Sequence, residues 1–512
     1  MLFSRITNDS LPQGWSRCCL PDFTDIVMGQ SPTSDTYNRG GDGIPFFQGK
    51  AEFGAIYPTV AKYCNAPNKI ALPGATLLSV RAPVGPTNLA KEKCCIGRGL
   101  AAIHPVGGIS PMFVLYLLRG IETDISKEGT GSTFSAINKQ FVEELEFGLP
   151  PLPEQHRIVA KIEELFSELD KGIENLKTAH AQLKVYRQAL LKHAFEGKLT
   201  AQWRAENQDK LESAEALLKR IQTERAQHYQ QQLTDWETFG KQGRKPKTPK
   251  TLPPLTTEEL AELPELPDGW GWEKLGNIAD LIGGVTKGKN LEGKEKLSLP
   301  YLRVANVQDG YLDLTEIKQI EVETQDKDKY RLEFGDVLYT EGGDKDKLGR
   351  GAVWRNQIDS CIHQNHIFRA RIYGGVISSE ILSLYSQTKS AKKYFFRHAK
   401  QTTNLASINL TVLANLPVAI FSQREQQQIL LETESRLSEC DQLDQTITTA
   451  LQQAEALRQS ILKKAFSGQL VPQDPHDEPA SALLARIKAE KATVAKNGTV
   501  TAKSRKLTGR KA

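Results

Sequence analysis

At 512 residues the chain has room for two or three domains, each with its own core. Charged residues make up 25% and hydrophobic ones 39%, an ordinary soluble composition, and no apolar run reaches the roughly eighteen residues a membrane span needs. Seven cysteines, an odd number without a CxxC, argue against a disulfide framework and a zinc ribbon, and the net charge of +5 is too small to name a partner.

In chain order, the N-terminal MLFSRITNDSLPQGW lacks the apolar centre of a secretory signal, so the cytoplasm is the expected compartment. Residues 1–150 alternate short β runs such as PGATLLSV (73–80) with glycines and a helical piece near ISPMFVLYLLRGI (109–121), which predicts a mixed α/β body. Within it, FFQGKAEFG (46–54) offers Gln48 and Lys50, and SVRAPVG (79–85) offers Arg81; these side chains suit base edges and phosphates. GTGST (129–133) precedes FSAINKQ and can open a helix whose backbone N–H groups meet a phosphate, adding Thr130 and Ser132.

Residues 151–200 follow LPPLPEQ, with Pro153 suited to a first helical turn. A near-heptad seam then runs Ile158, Ile162, Leu165, Leu169, Ile173, Leu176, His180, Leu183, Arg187, Leu190 and Ala194, with one stutter, and Gly197 supplies a left-handed stop after Phe195. Residues 201–262 predict a polar helix over 204–238 and then a linker rich in Pro and Lys, KQGRKPKTPKTLPPL, whose first ten residues hold five Lys or Arg and no acid.

Residues 263–420 predict a second mixed α/β body, with β runs LPYLRVANV, FGDVLYT and HIFRARIY and a helical SSEILSLYSQT. Its GGVTKGKN (283–290) misses the phosphate-loop pattern because Asn290 replaces the Ser or Thr, so a glycine-rich turn is expected. EGGDKDKLGRG (341–351) is a basic loop with Lys345, Lys347 and Arg350. CIHQNHIFR (361–369) holds His363, Gln364, Asn365 and His366; two histidines without a third ligand do not make a metal site, but all four side chains suit base edges.

Residues 421–470 open on a capping box, Ser422-Gln-Arg-Glu425, and carry a second seam through Ile429, Leu437, Cys440, Ile447, Leu451, Ala454 and Ile461. Cys440 and Asp444 make that seam less apolar, and Gly468 is the stop after Arg458 and Phe466. Residues 471–512 are expected to be a disordered basic tail; the last 27 carry nine Lys or Arg against one Glu.

The two halves repeat. YRQALLKHAFEGKL (186–199) and LRQSILKKAFSGQL (457–470) share eight of fourteen residues at an offset of 271, and Asp170 matches Asp441 at the same offset. LPQGW (11–15) recurs as LPDGW (266–270) at an offset of 255, so insertions sit inside the bodies and the helical arms keep register. Each helix of about 40 residues would be roughly 60 Å long, too long to bury its stripe on one small body, so the two stripes are expected to bury each other. The pattern leaves parallel or antiparallel open; antiparallel pairing would hold a body at each end, related by a pseudo-twofold axis. The fold class expected is therefore mixed α/β, with two globular domains separated by two long helices in an antiparallel coiled coil. No Asn/Asp-Pro-Pro-Phe/Tyr stretch and no glycine-rich S-adenosylmethionine turn occurs, so no catalytic machinery is visible.

INKQFVEELEFGLPPLPEQHRIVAKIEELF, the two helix ends, IPFFQGKAEFG, LPYLRVANVQDGYLDL and GDVLYTEGGDKDKLGRGAVW together resemble the specificity subunits of type I restriction–modification systems, over nearly the whole chain up to about residue 475. The resemblance implies a non-catalytic chain with two target-recognition domains, each reading half of a bipartite asymmetric site on double-stranded DNA. It implies that the helices set the spacer and dock two methyltransferase (M) subunits, with restriction (R) subunits joining the complex. The spacer and partner-binding candidates are then Ile158, Leu165, Leu176, Leu183, Arg187, Phe195, Ile447, Leu451, Arg458 and Phe466. S-adenosylmethionine, ATP and Mg would belong to the partners, with no cofactor or metal in this chain and no membrane. The rival readings are a coiled-coil scaffold, a non-enzymatic DNA-binding protein outside restriction–modification, and a fused methyltransferase-nuclease; the last lacks both motifs and room.

Overall fold

The computed structural model describes residues 11–128, 136–238, 240–241, 245–246, 248, 251–288, 290–343, 347–401 and 405–493. The chain forms two compact units, residues 1–177 with 448–512, and residues 178–447.

In the first unit a four-stranded sheet runs in the order Thr24–Met28, Leu100–Pro105, Thr76–Ser79, Thr87–Leu89. Side chains alternate across it with period two. Leu78, Ala101 and Ile103 face a core shared with Phe113, Val114, Leu117 and Leu118 of the helix Pro111–Gly120. Leu77, Leu100 and Ala102 face the other way, toward Phe47 and Ile96. Those two belong to a parallel pair, Ile44–Phe47 with Cys94–Ile96. Covering both faces leaves Thr76–Ser79 and Thr87–Leu89 buried at every position.

The second unit repeats this plan. Its four-stranded sheet runs Ala279–Gly283, Ile367–Ile372, Val337–Thr340, Gly351–Val353. Val337, Tyr339, Phe368 and Ala370 pack with the helix Ser379–Ser386, and Leu338, Ala352 and Ile367 pack with Leu302 and Trp354. The parallel pair is again present, Tyr301 opposite Ile362 and Leu302 opposite His363. The glycine-rich stretch at 283–290 contains Gly284, where a Cβ would lie 2.0 Å from the His363 carbonyl oxygen. Gly29 in the first unit meets the same obstacle, 2.1 Å from the Gly97 oxygen. Close backbone approach, not phosphate binding, requires these glycines.

Two helices of 44 residues, Leu152–Phe195 and Gln423–Phe466, follow the bodies. In the first unit Ile158, Ile162 and Phe166 cluster with Ile461, Leu462 and Ala465, and Asp170 pairs with Arg458. In the second, Leu191, Ala194 and Phe195 share a core with Ile429, and Arg187 Nη2 lies 2.6 Å from Asp441 Oδ1. Shifting Arg187–Asp441 by 271 residues gives Arg458–Asp170, so one ion pair is written twice. The irregular part of the second seam is also satisfied: Asp444 Oδ1 is 3.0 Å from His180 Nε2, and Cys440 is buried. Leu183 and Ile447 are buried at the seam, whereas Leu165, Leu176, Leu451 and Phe466 are half-buried; Phe166 takes the place expected for Leu165.

The LPxGW repeats lock helix ends. Gly468 and Gly197 hold φ of +72° and +66°, and a Cβ on either would come within 2.3 Å of Pro12 and Pro267 respectively. Trp15 Nε1 donates to Glu154 Oε2 at 3.0 Å, and Trp270 Nε1 donates to Glu425 Oε2 at 2.9 Å.

The expectation of a disordered tail from residue 471 does not hold over 480–493, which is helical. Ala480, Leu483 and Ile487 lie on one face and enter the first body's core. Residues 494–512 lie outside the described residues. The helix is a second copy of Ala214–Thr238, whose Ala214, Leu217 and Ile221 enter the second body's core. ALLKRIQTER (216–225) and ALLARIKAEK (482–491) match at an offset of 266. Even the anchors agree: Ala214 N donates to Gly269 O at 2.8 Å, and Ala480 N donates to Gly14 O at 2.9 Å. All seven cysteines are free thiols.

Candidate nucleic-acid interface

In the first body Gln48, Lys50 and Arg81 come together around one open cleft of about 240 Å³, with Ser79 and Arg98. Its walls are the loop after strand Ile44–Phe47, the end of strand Thr76–Ser79, and the turn Gly97-Arg98-Gly99. Lys50, Arg81 and Arg98 are exposed and make no ion pair among the described residues, so the cleft presents three cations to solvent. Thr130, Ser132 and Lys345 lie outside the described residues.

The second body has a cleft of about 420 Å³ lined by Val304, Glu341, His366, Lys400 and Leu405 together with residues 342–343 and 406–407. His366 Nδ1 and Glu341 Oε2 are 2.5 Å apart. Of the other candidates, Gln364 and Asn365 are half-buried beside His366, and Arg350 Nη1 donates to Gln308 Oε1 at 2.7 Å. Lys347 is half-buried, its carbonyl accepting from Thr340 Oγ1 at 2.8 Å. His363 is a correction to the base-edge group: it is fully buried, its ring donating from Nδ1 to Ile367 O at 3.0 Å. Burial holds its pKa down at about 4, so it stays neutral in the core. Strand alternation turns His363 inward. Among the described residues no three His, Cys, Asp or Glu side chains gather as metal ligands.

The two clefts occupy one place in the fold. Gly97 N donates to Phe47 O at 2.8 Å, and Gln364 N donates to Leu302 O at 3.0 Å. Val80 N donates to Gly99 O and Glu341 N to His366 O, both at 2.9 Å. Ile137 N donates to Val80 O at 3.0 Å, and Ile408 N donates to Glu341 O at 2.8 Å. Turn 97–99 is therefore the counterpart of turn 364–366. Sequence reasoning missed Arg98, whose one signal is its position between two glycines in CCIGRGLA (94–101), and Glu341, which opens the loop EGGDKDKLGRG but was passed over for its basic residues; Lys400 carries no local signal.

In each unit, then, a body of the same plan carries a polar cleft at the equivalent place. The family model described as type I restriction modification DNA specificity domain matches residues 12–178 and 267–453, and the chain belongs to that family. A relative from Methanocaldococcus jannaschii, provisionally named the type I restriction enzyme MjaX specificity subunit, is 38% identical over 200 residues, 38% of this chain and 46% of its own length. The alignment thus spans about half of that relative. The type I restriction enzyme EcoBI specificity subunit of Escherichia coli is 22% identical over 495 residues, covering 94% of each chain. The crystal structure of the HsdS subunit from Thermoanaerobacter tengcongensis shows 44% identity over 38% of this chain and 48% of that one, with a TM-score of 0.32. No helix among the described residues is long and apolar enough to cross a membrane.

Proposed function

We propose that the chain is the DNA-recognition subunit of a type I restriction–modification complex and performs no catalysis of its own. The observation that carries this is the pair of topologically equivalent clefts with different side chains: a duplicated frame that holds two different readers suits a bipartite, asymmetric site. Each body is a target-recognition domain, and the long helices form an antiparallel coiled coil with pseudo-twofold symmetry that sets the unspecified spacer. The Arg187–Asp441 and Arg458–Asp170 pairs support that symmetry, because ion pairs in a seam fix register. Lys50, Arg81 and Arg98 supply salt-dependent affinity for phosphates, and base edges supply sequence.

Two methyltransferase subunits dock on the helix ends. Exposed apolar side chains support this: Val185 and Tyr186 are 65% and 47% exposed, and Leu457, at the repeat position of Tyr186, is 50% exposed. Those partners bring S-adenosylmethionine and adenine methylation; restriction subunits bring ATP, Mg and cleavage. Such a complex works in the cytoplasm, where its DNA is. Duplex affinity measured against salt, with methyltransferase subunits present, tests the reading. Affinity falling log-linearly with salt is expected; no duplex affinity even at low salt would favour a protein-only scaffold.

A further inference from the structure

The correspondence of the two turns extends to single residues. Val285 N donates to His363 O at 2.8 Å, as Gln30 N donates to Ile96 O at 3.1 Å, so the strand entering each turn is held from both sides. Gly97, Arg98 and Gly99 match Gln364, Asn365 and His366, and the apex residue is Arg98 in one body and Asn365 in the other. Both apex amides are tied down, Arg98 N to Ser31 Oγ at 3.3 Å and Asn365 N to Val285 O at 2.9 Å. A backbone held at that many points fixes where each side chain leaves the turn, one condition for selecting a base rather than attracting DNA in general. Arg98 is exposed and no acid pairs with it among the described residues.

Arginine bonds guanine O6 and N7 as a fork, whereas asparagine bonds adenine N6 and N7. We infer that Arg98 and Asn365 are equivalent specificity-determining residues, Arg98 selecting a guanine in the half-site of the first body and Asn365 an adenine in that of the second. The inference rests on the two-body recognition function proposed above. Glu341, paired with His366 beside Asn365, gives the second cleft a carboxylate where the lining of the first has none, which makes the two readers chemically different at neighbouring positions too.

The test is selection from a randomised duplex pool by the full-length chain bound to methyltransferase subunits, followed by sequencing. The wild type is expected to enrich two blocks separated by an unspecified spacer. Arg98→Ala should lower the preference for guanine at one position of one block by about tenfold or more, and leave the other block unchanged. Asn365→Ala should relax one adenine in the other block only, and Arg98→Asn should move the first position from guanine toward adenine. Unchanged base preferences with uniformly weaker binding would make Arg98 a phosphate contact and overturn the inference. So would relaxation at a base other than guanine. A pool with no enriched sequence would remove the recognition function itself, a different failure from a bipartite motif that ignores both substitutions.

Discussion

Glu154 and Glu425 stand at the same step of the repeat and are both buried, yet they are held differently. Glu425 accepts from Trp270 Nε1, from Thr200 Oγ1 at 2.7 Å and from Arg204 Nη1 at 2.6 Å, so its charge is matched. Glu154 accepts from Trp15 Nε1 and from Gln473 Nε2 at 3.2 Å, both neutral donors. Removing Glu425 leaves a mostly buried guanidinium without its carboxylate, about 3 kcal/mol, whereas removing Glu154 leaves neutral donors, about 1–3 kcal/mol. Urea unfolding of Glu425→Ala should show the larger loss; equal losses would mean that Arg204 finds another partner. Burial raises the pKa of Glu154 in the fold, so its contribution is fully present below the unfolded carboxyl value and is lost as pH climbs through the folded one. Glu154→Gln cannot ionise. Its stability relative to wild type should therefore rise with pH above the unfolded carboxyl value of about 4.3. A difference that stays flat across that range would remove the burial argument.

At the scale of elements, what was legible in the sequence was what repeats locally. The near-heptad seams, the stops at Gly197 and Gly468 and the short β runs between glycines each show within a dozen residues or so. What LPxGW does was not legible, because Pro267 meets Gly197 and Trp270 meets Glu425 across long separations. The tail helix was hidden by a changed offset, 266 against 271, and by its lysines, which overshadowed the Ala480, Leu483, Ile487 stripe. Of the cleft residues, Gln48, Lys50 and Arg81 were legible by type, whereas the burial of His363 needed the strand register. Gly197→Ala and Gly468→Ala should each cost at least about 1–2 kcal/mol, since a left-handed φ adds strain to the collision with proline. Losses below 0.5 or so would mean that the proline gives way easily. The ion pairs should matter less. Arg187→Asp alone should cost under about 1 kcal/mol at this exposed pair, and Arg187→Asp with Asp441→Arg should restore it. Arg458→Ala should cost more than Arg187→Ala, because the Arg458 guanidinium also lies 5.0 Å from the Phe166 ring centroid.

For the whole molecule, the proposed ruler makes a quantitative demand. Seven residues added to each long helix at matched positions keep the heptad seam in phase and lengthen the pair by about 10.5 Å. That is about three base-pair steps of duplex at 3.4 Å each. The duplex turns by roughly 100° over three of its 10.5-bp-per-turn steps, while a heptad leaves the helix faces nearly where they were. Distance and groove phase thus pull apart. The expected outcome is a preferred spacer longer by up to about three base pairs together with weaker binding, since the groove must be twisted toward the reader. The two base blocks themselves should stay as they are, because the bodies are untouched. Selection from a pool of duplexes with graded spacers measures both quantities at once. An unchanged spacer would show that something other than the helices sets the distance, and a change in the base blocks would show that the helices reach into the clefts.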